Sequence, residues 1–342
     1  MKLSAPGKIF LAGEYAVLDG AAALVAGLDL RLHADLQPAA RTELVHREAR
    51  WVEGAPVPAA LRFARAGLDL GARLCAEEGR APRGLRLVFG DDFARDGRKL
   101  GLGGSAAATV IGVRAACAAH ERAVTDAEVL ALAAAAHWAE QGGAGSGGDV
   151  AACALGGVLR VRALHAWRSA EEVLRTPARA LAAGTPVEAV RLRVPPSLRL
   201  LLVVTGEPAD SRALVRAVKA FAAAQPARWR DQAARIAAAS AALERALALD
   251  AEAAALDAVR EGAAAMDALG TAAGVEIVTA ALRRACAVAG TAGAAAKPSG
   301  AGGGDCAVAL CFGDPALDLL ERAYLGLFPV LRAAPAGATP PR

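Results

Sequence analysis

The amino-acid sequence predicts an α+β protein of two domains, and three observations carry that expectation. The chain has 342 residues, about twice the roughly 150 that a typical domain takes. Strand-like and helix-like stretches follow one another without the regular βαβ beat of a doubly wound sheet. A stretch from Pro177 to Pro196 holds Pro177, Gly184, Pro186, Pro195 and Pro196, and hydrophobic periodicity fades across it. The boundary is therefore expected at 185/186, giving domains 1–185 and 186–333, with a Pro/Ala/Gly-rich flexible tail over 334–342.

The elements can be read in order. Ile9 to Leu11 is a short apolar run, and LDLRLHADL, inside Ala21 to Leu36, alternates with the period of a half-buried strand. Pro56 to Glu78 reads as helix, and Leu85, Leu87 and Phe89 alternate as a further strand. Asp91 to Lys99 is polar and reads as a loop. Ser105 to Ala119 is a helix candidate led by GLGG. Thr125 and Glu128 fit a capping box, opening a helix that runs to about Glu140. Val158 to Val161 and Leu198 to Val204 read as strands, and a helix is expected from Asp210 or Ser211. Three Ala-rich helical stretches fill roughly 227 to 290, and AVALCF after Asp305 reads as a buried strand.

Hydrophobic residues are 55% of the chain and charged residues 22%, which excludes a wholly disordered protein. Aromatics are 4% and much of the apolar content is alanine, so helices form readily and pack through small faces. Lys and Arg total 39 against 35 Asp and Glu, a formal charge of +4, with no block of like charge. Nucleic acid is not an expected partner. The six cysteines show neither a CxxC pair nor zinc-like spacing, which suits free thiols in a reducing cytosol. The N-terminus reaches Lys8 and Glu14 too early for a signal-peptide core, and no apolar stretch is long enough for a membrane span. A cytoplasmic protein with no membrane partner is expected, as a monomer or homodimer.

Chemistry concentrates in glycine-rich loops. KLGLGGSAAATV (Lys99 to Val110) strips side chains from the backbone ahead of a helix, so successive N–H groups and the positive helix end can meet an anion. Ser105, on the first turn, can reach a phosphate oxygen or its Mg²⁺. EQGGAGSGGDVAA (Glu140 to Ala152) ends its glycine run at Asp149, which reads either as a helix cap or as a carboxylate brought up to a substrate hydroxyl. KPSGAGGGDCAVAL (Lys297 to Leu310) is a third bare loop. Lys8 and Glu14 sit in apolar sequence, where an unpaired charge is costly, so each is expected to have a partner. Tyr15 reads as core or pocket lining. No Walker A sequence is present, and the two G-x-G-x-x-G/A matches lack the βαβ context of a dinucleotide site.

APGKIFLAGEYAVLDG, GLGGSAAATV and KPSGAGGGDCAVAL resemble, in order, the three signature motifs of the GHMP kinases, and span residues 4 to 310. KPSGAGGGDC, AEQGGAGSGGDVAA and TGEPADSRALV are most similar to the phosphomevalonate kinase branch of that family. The resemblance implies an N-terminal ribosomal-S5-like domain, a C-terminal ferredoxin-like domain and a site in the cleft between them. It implies ATP and Mg²⁺, and a small-molecule acceptor, phosphomevalonate or a relative of it. Mevalonate kinase or another small-molecule kinase of the family is the alternative activity, and a non-catalytic metabolite sensor a more distant one.

By motif match, Asp149 is implied as the catalytic carboxylate and Lys8 as the basic residue that, in mevalonate kinases, pairs with it. Lys99, Gly101, Leu102, Gly103, Gly104, Ser105 and Ala106 are implied at the ATP phosphates. Ser105 is implied at Mg²⁺, with Glu140 a weaker metal candidate. The implied substrate side holds Glu14, Tyr15, Ser146, Gly147, Ser211, Arg212, Lys219, Lys297, Ser299, Gly300 and Gly302, with Gly303 and Asp305 completing motif three. Arg98 is a further candidate for an acceptor phosphate. Three positions depart from the pattern: Gly104 replaces a serine, Gly148 stands where a larger apolar residue is usual, and Val204 where tryptophan is.

Overall fold

Strands and helices alternate irregularly from the first residues onward. The computed structural model describes residues 1–90, 93–95, 98–164, 167–207 and 210–336, with the backbone alone at 94–95 and 98–99. The first part holds β1 (Lys2–Ala12), a 3₁₀ turn (Ala16–Asp19), β2 (Ala23–Pro38), β3 (Glu43–His46), β4 (Ala49–Val52), α1 (Arg62–Glu77) and β5 (Leu85–Phe89). It continues through β6 (Ala94–Arg95), β7 (Arg98–Lys99), α2 (Gly104–Ala119), α3 (Asp126–Glu140), α4 (Gly148–Leu155), β8 (Gly157–Ala163), α5 (Ala170–Arg175), α6 (Ala178–Ala182) and β9 (Val187–Arg191). The second holds β10 (Leu198–Val204), α7 (Ser211–Ala224), α8 (Pro226–Ala248), α9 (Glu252–Ala273), α10 (Ala280–Thr291), β11 (Ala295–Pro298), β12 (Cys306–Phe312), α11 (Asp314–Tyr324) and β13 (Val330–Ala333).

Seven strands form the first sheet, in the order β4-β3-β5-β2-β8-β9 with β1 also on β2; all pairs are antiparallel except β3 with β5. The second sheet is antiparallel, ordered β11-β12-β10-β13. Period-2 alternation assigns the faces. Ala23 and Val25 of β2 pack with α1 to α4, while Leu24, Ala26 and Leu28 face the other way. There they meet Leu198, Leu200, Leu202 and Val204 of β10, Val308 and Leu310 of β12, and Leu243 and Val259 of α8 and α9. The seam between the two sheets is thus a packed apolar core in its own right. The alternate residues of β10, Leu201 and Val203, face a third cluster with α10 and α11.

The small-residue composition has a visible use. A Cβ on Gly67 would stand 2.2 Å from Thr109 O, and one on Gly112 2.4 Å from Ala64 O, so α1 and α2 approach backbone to backbone. The capping box is present: Thr125 Oγ1 accepts from Glu128 N, and Glu128 accepts from Thr125 N.

Several expectations need correcting. The helix expected from Pro56 starts at Arg62, because Leu61 N–H first closes a turn onto Pro58 O at 2.9 Å. The loop expected at Asp91 to Lys99 contains the β6–β7 hairpin. The chain leaves the first sheet after Arg191 and enters the second at Leu198, a few residues past the expected 185/186 boundary, since β9 still pairs with β8. The first three tail residues are docked rather than flexible. Asp29 N–H donates to Ala334 O, Ala334 N–H to Asp29 Oδ1, and Ala336 N–H to Gly27 O. Residues 337–342 lie outside the described ones.

Candidate active site

The GLGG loop turns on glycines at φ +68° (Gly101) and +77° (Gly103), a region that side chains disfavour. Gly103 is the N-cap of α2, and no side chain caps the helix. The first-turn N–H groups of Gly104, Ser105 and Ala106 therefore point outward without a side-chain acceptor, at the positive end of a 16-residue helix. Leu102 and Ala106 are buried, so what they offer a ligand is backbone. Leu102 O is already taken by Lys8 N–H at 2.8 Å.

Lys8 lies along this loop. A Cβ on Gly103 would come within 2.5 Å of Lys8 Cγ, so the missing side chain is what admits the lysine. Lys8 Nζ donates to Gly101 O at 3.3 Å and stands 5.8 Å from the Phe10 ring centroid. The third loop opens onto the same ammonium: a Cβ on Gly300 would be 3.8 Å from Lys8 Nζ.

Asp149 sits in the first turn of α4, whose N-cap is Gly147 at φ +74°. It is not the cap itself. Its Oδ1 accepts from Val150 N–H at 2.9 Å, leaving Oδ2 3.8 Å from His137 Nε2. Among the described residues Lys8 and Asp149 form no ion pair, which corrects the pairing the resemblance implied; Lys8 is held by a backbone carbonyl and Asp149 faces a histidine. Ser146 Oγ accepts from Gly148 N–H at 3.3 Å, so this hydroxyl shapes the loop. The unusual Gly148 is also explained: the Phe10 ring stands 3.3 Å from where its Cβ would lie, filling the space a larger residue would take.

His137 was missed by sequence reasoning. It is 2% exposed, deep in the apolar run of α3, and its Nε2 is 3.1 Å from Ser105 Oγ. Burial pushes its pKa down, against the pull of Asp149; Arg212 and Lys8 push the same way as burial, and Glu140 opposes them. The signal in the sequence was a lone ionisable side chain inside LALAAAAHWAE, three residues before Glu140.

Four residues expected on the substrate side also make contacts that join the two halves. The Glu14 carboxylate and the Lys297 ammonium pair with each other at 3% and 1% exposure, and Lys297 Nζ also donates to Pro298 O at 2.6 Å. Tyr15 hydroxyl donates to Ala301 O at 2.6 Å, and Ser299 Oγ accepts from Phe10 N–H at 3.0 Å. These contacts join motif one to motif three. Gly302 serves the same joint: at φ +74° a Cβ would strike Ile277 O at 2.2 Å. Gly303 N–H donates to that same oxygen at 2.7 Å, and Asp305 N–H to Glu207 O at 2.6 Å.

Ser211 and Arg212 open α7 and are exposed, and the Arg212 charge is felt at His137, so this helix end faces the site. Arg216 and Lys219 follow at i+4 and i+7 from Arg212, on one stripe of the helix, and both are exposed. Arg216 was not among the expected residues. Glu140 Oε1 stands 3.4 Å from Arg62 Nε, which occupies part of its carboxylate. Arg98 and Lys99 lie in β7, and their side chains are outside what is described.

Uncapped helix ends, a lysine and a half-exposed carboxylate gathered between two α+β layers are the arrangement of a phosphotransferase. The family profile described as GHMP kinases N terminal domain matches residues 71–157. A phosphomevalonate kinase of Streptomyces sp. (strain CL190) is 31% identical over 92% of this chain and 91% of its own. The chain belongs to the GHMP kinase family and is an ATP-using small-molecule kinase. Among solved structures, a Listeria innocua protein matches at 25% identity with a TM-score of 0.87, covering 98% of this chain and 100% of that one. The Streptococcus pneumoniae phosphomevalonate kinase in complex with phosphomevalonate and AMPPNP has the same fold at 22% identity and a TM-score of 0.87, covering 98% and 99%. Among the described residues no helix is long and apolar enough to cross a membrane.

Proposed function

We propose that the chain is a phosphomevalonate kinase, moving the γ-phosphoryl group of ATP onto the phosphate of phosphomevalonate to give diphosphomevalonate and ADP. The observation that carries this reading is the 31% identity to the Streptomyces enzyme over nearly the whole of both chains. The exposed cations Arg212, Arg216 and Lys219 on one stripe of α7 suit an acceptor that brings its own phosphate.

Phosphoryl transfer leaves a protein mainly positioning and charge neutralisation to do. The N–H groups around Gly103 and Ser105 hold the ATP phosphates. Lys8, fixed against Gly101 O, neutralises charge on the group in flight. The P–O bond to the β-phosphate breaks as one forms to an acceptor phosphate oxygen. Asp149 Oδ2 orients that acceptor and takes its proton where it still carries one; a phosphate monoester has a second pKa of about 6 and arrives largely ionised at neutral pH.

Magnesium fits the donor set. It keeps most of its waters and takes one or two protein oxygens beside substrate phosphates. Among the described residues no cluster of three or more His, Cys, Asp or Glu would hold a metal unaided. The Ser105 hydroxyl would hold the ion, with Glu140 weaker because Arg62 stands against it. Bound there, it would neutralise charge on the β- and γ-phosphates.

The test is a coupled ADP-release assay with ATP–Mg²⁺ against phosphomevalonate, mevalonate, galactose, homoserine and no acceptor. Turnover on phosphomevalonate alone is expected. Turnover on mevalonate instead would overturn the acceptor.

A further inference from the structure

We propose that His137 is a positioning residue that accepts the hydrogen bond of the Ser105 hydroxyl, so that the Ser105 oxygen turns its lone pairs toward the metal-bound triphosphate. The inference rests on the reading of the GLGGS loop as the triphosphate site and is independent of the acceptor.

The contacts around Ser105 and His137 carry it. Ser105 has one hydroxyl proton to place. A helical serine commonly gives it to the carbonyl four residues back, as Thr109 Oγ1 does to Ser105 O at 2.8 Å. For Ser105 the residue four back is Gly101, which precedes the Gly103 N-cap, so the helix offers no such carbonyl there; Gly101 O accepts from Lys8 Nζ at 3.3 Å instead. Ser105 Oγ instead meets His137 Nε2, at 3.1 Å.

The contacts around the His137 ring, which is 2% exposed, suit an acceptor: an imidazole with one N–H keeps its other nitrogen free of hydrogen. Gln141 Nε2, a donor, approaches the same nitrogen at 3.5 Å. Asp149 Oδ2, an acceptor, stays 3.8 Å away, beyond hydrogen-bond length. One amide donor drawn in and one carboxylate acceptor held off point to Nε2 as the accepting atom of the Ser105 contact. The ring is fixed from the other side by Phe63, at a centroid distance of 4.9 Å.

A hydroxyl that had to find its own partner would direct its proton at a phosphate oxygen and offer the cation less. With its O–H donated to His137 Nε2, Ser105 presents lone pairs to the triphosphate side. Asp149 Oδ2 meanwhile stays unbound to the ring and available to the acceptor.

The experiment is calorimetric titration of AMPPNP, with and without Mg²⁺ and with no acceptor present. The proteins are the wild type, His137→Phe, His137→Gln, Ser105→Ala and the double variant Ser105→Ala/His137→Phe. Loss of such an outer partner typically costs 10- to 100-fold, so His137→Phe should weaken Mg–AMPPNP binding about tenfold or more. Metal-free AMPPNP should bind it as it binds the wild type. His137→Gln, whose amide oxygen can take the same proton, should stay within about threefold of the wild type on the same scale. The Phe change should cost nothing further once Ser105 is alanine.

A His137→Phe deficit equal with and without metal, or additive to that of Ser105→Ala, would overturn the role. If circular dichroism shows that the Phe variant does not fold, His137→Gln binding as weakly as Ser105→Ala would do the same. Wild-type protein that binds no Mg–AMPPNP would remove the triphosphate reading and this proposal with it. Normal metal-dependent binding without turnover on phosphomevalonate would count against the acceptor alone.

Discussion

Glu14 and Lys297 meet in the seam between the two sheets, and each is the other's charge partner at 3% and 1% exposure. One follows β1 and the other lies in β11, so the pair ties motif one to motif three. Removing one partner of a buried pair leaves an uncompensated charge, which costs about 3–5 kcal/mol. Lys297→Met should therefore lower unfolding stability by about that much, and Glu14→Gln added to it should restore part of the loss. Urea unfolding of the single and double variants reads this directly. Equal and additive losses would mean that the charges are not coupled.

Asp149 Oδ2 is the carboxylate oxygen left unbonded in the site. Asp149→Asn should reduce kcat by about 10²-fold or more, the usual range for losing a positioned acid or base, while AMPPNP binding stays near normal. Steady-state kinetics beside calorimetry separates the two effects. Near-normal turnover would remove Asp149 from the chemistry.

Two glycines should fail in different ways. At Gly103 a Cβ meets the flexible Lys8 side chain, whereas at Gly302 it meets the backbone oxygen of Ile277. Both sit at positive φ, where a side chain costs about 1–3 kcal/mol. Gly103→Ala should displace Lys8 and lose activity with a modest drop in Tm. Gly302→Ala should lose much more stability, because a packed backbone cannot step aside. A larger Tm loss at Gly103 than at Gly302 would contradict the geometry.

The Arg122 guanidinium, 2.7 Å from Glu128, holds that carboxyl down to about 2, aided by the N–H and hydroxyl of Thr125 and opposed by burial. The folded-state value lies below the unfolded one of 4.5. The contribution is complete above the unfolded value and is lost as pH falls through the window down to the folded one. Glu128→Gln should therefore flatten the wild type's loss of stability between pH 4.5 and about 2. Urea midpoints at pH 6 and pH 3, compared between the two proteins, check it. Parallel losses would place the acid sensitivity elsewhere.

Much of the architecture was legible because it is encoded locally. The capping box at Thr125 and Glu128, the strand alternation of β2 and the Ala-rich helices depend on residues a few positions apart. The glycine loops were legible for the same reason, since bare amides before a helix are a property of consecutive residues. β9 was missed because its two-sided exposure leaves little alternation to read. The docked tail was missed because Ala336 finds its partner, Gly27, in the first domain's sheet.

By itself the sequence determined that this chain makes helices with uncapped glycine-led starts, with a lysine and a carboxylate in the flanking motifs, the features on which the proposed phosphoryl-transfer site rests. Only the tertiary structure decided which charges serve that site. It gave Lys297 to Glu14, Lys8 to Gly101 O and Ser105 to His137. Partners separated by tens to hundreds of residues are chosen by how packed sheets and helices bring them together, and no local pattern carries that choice.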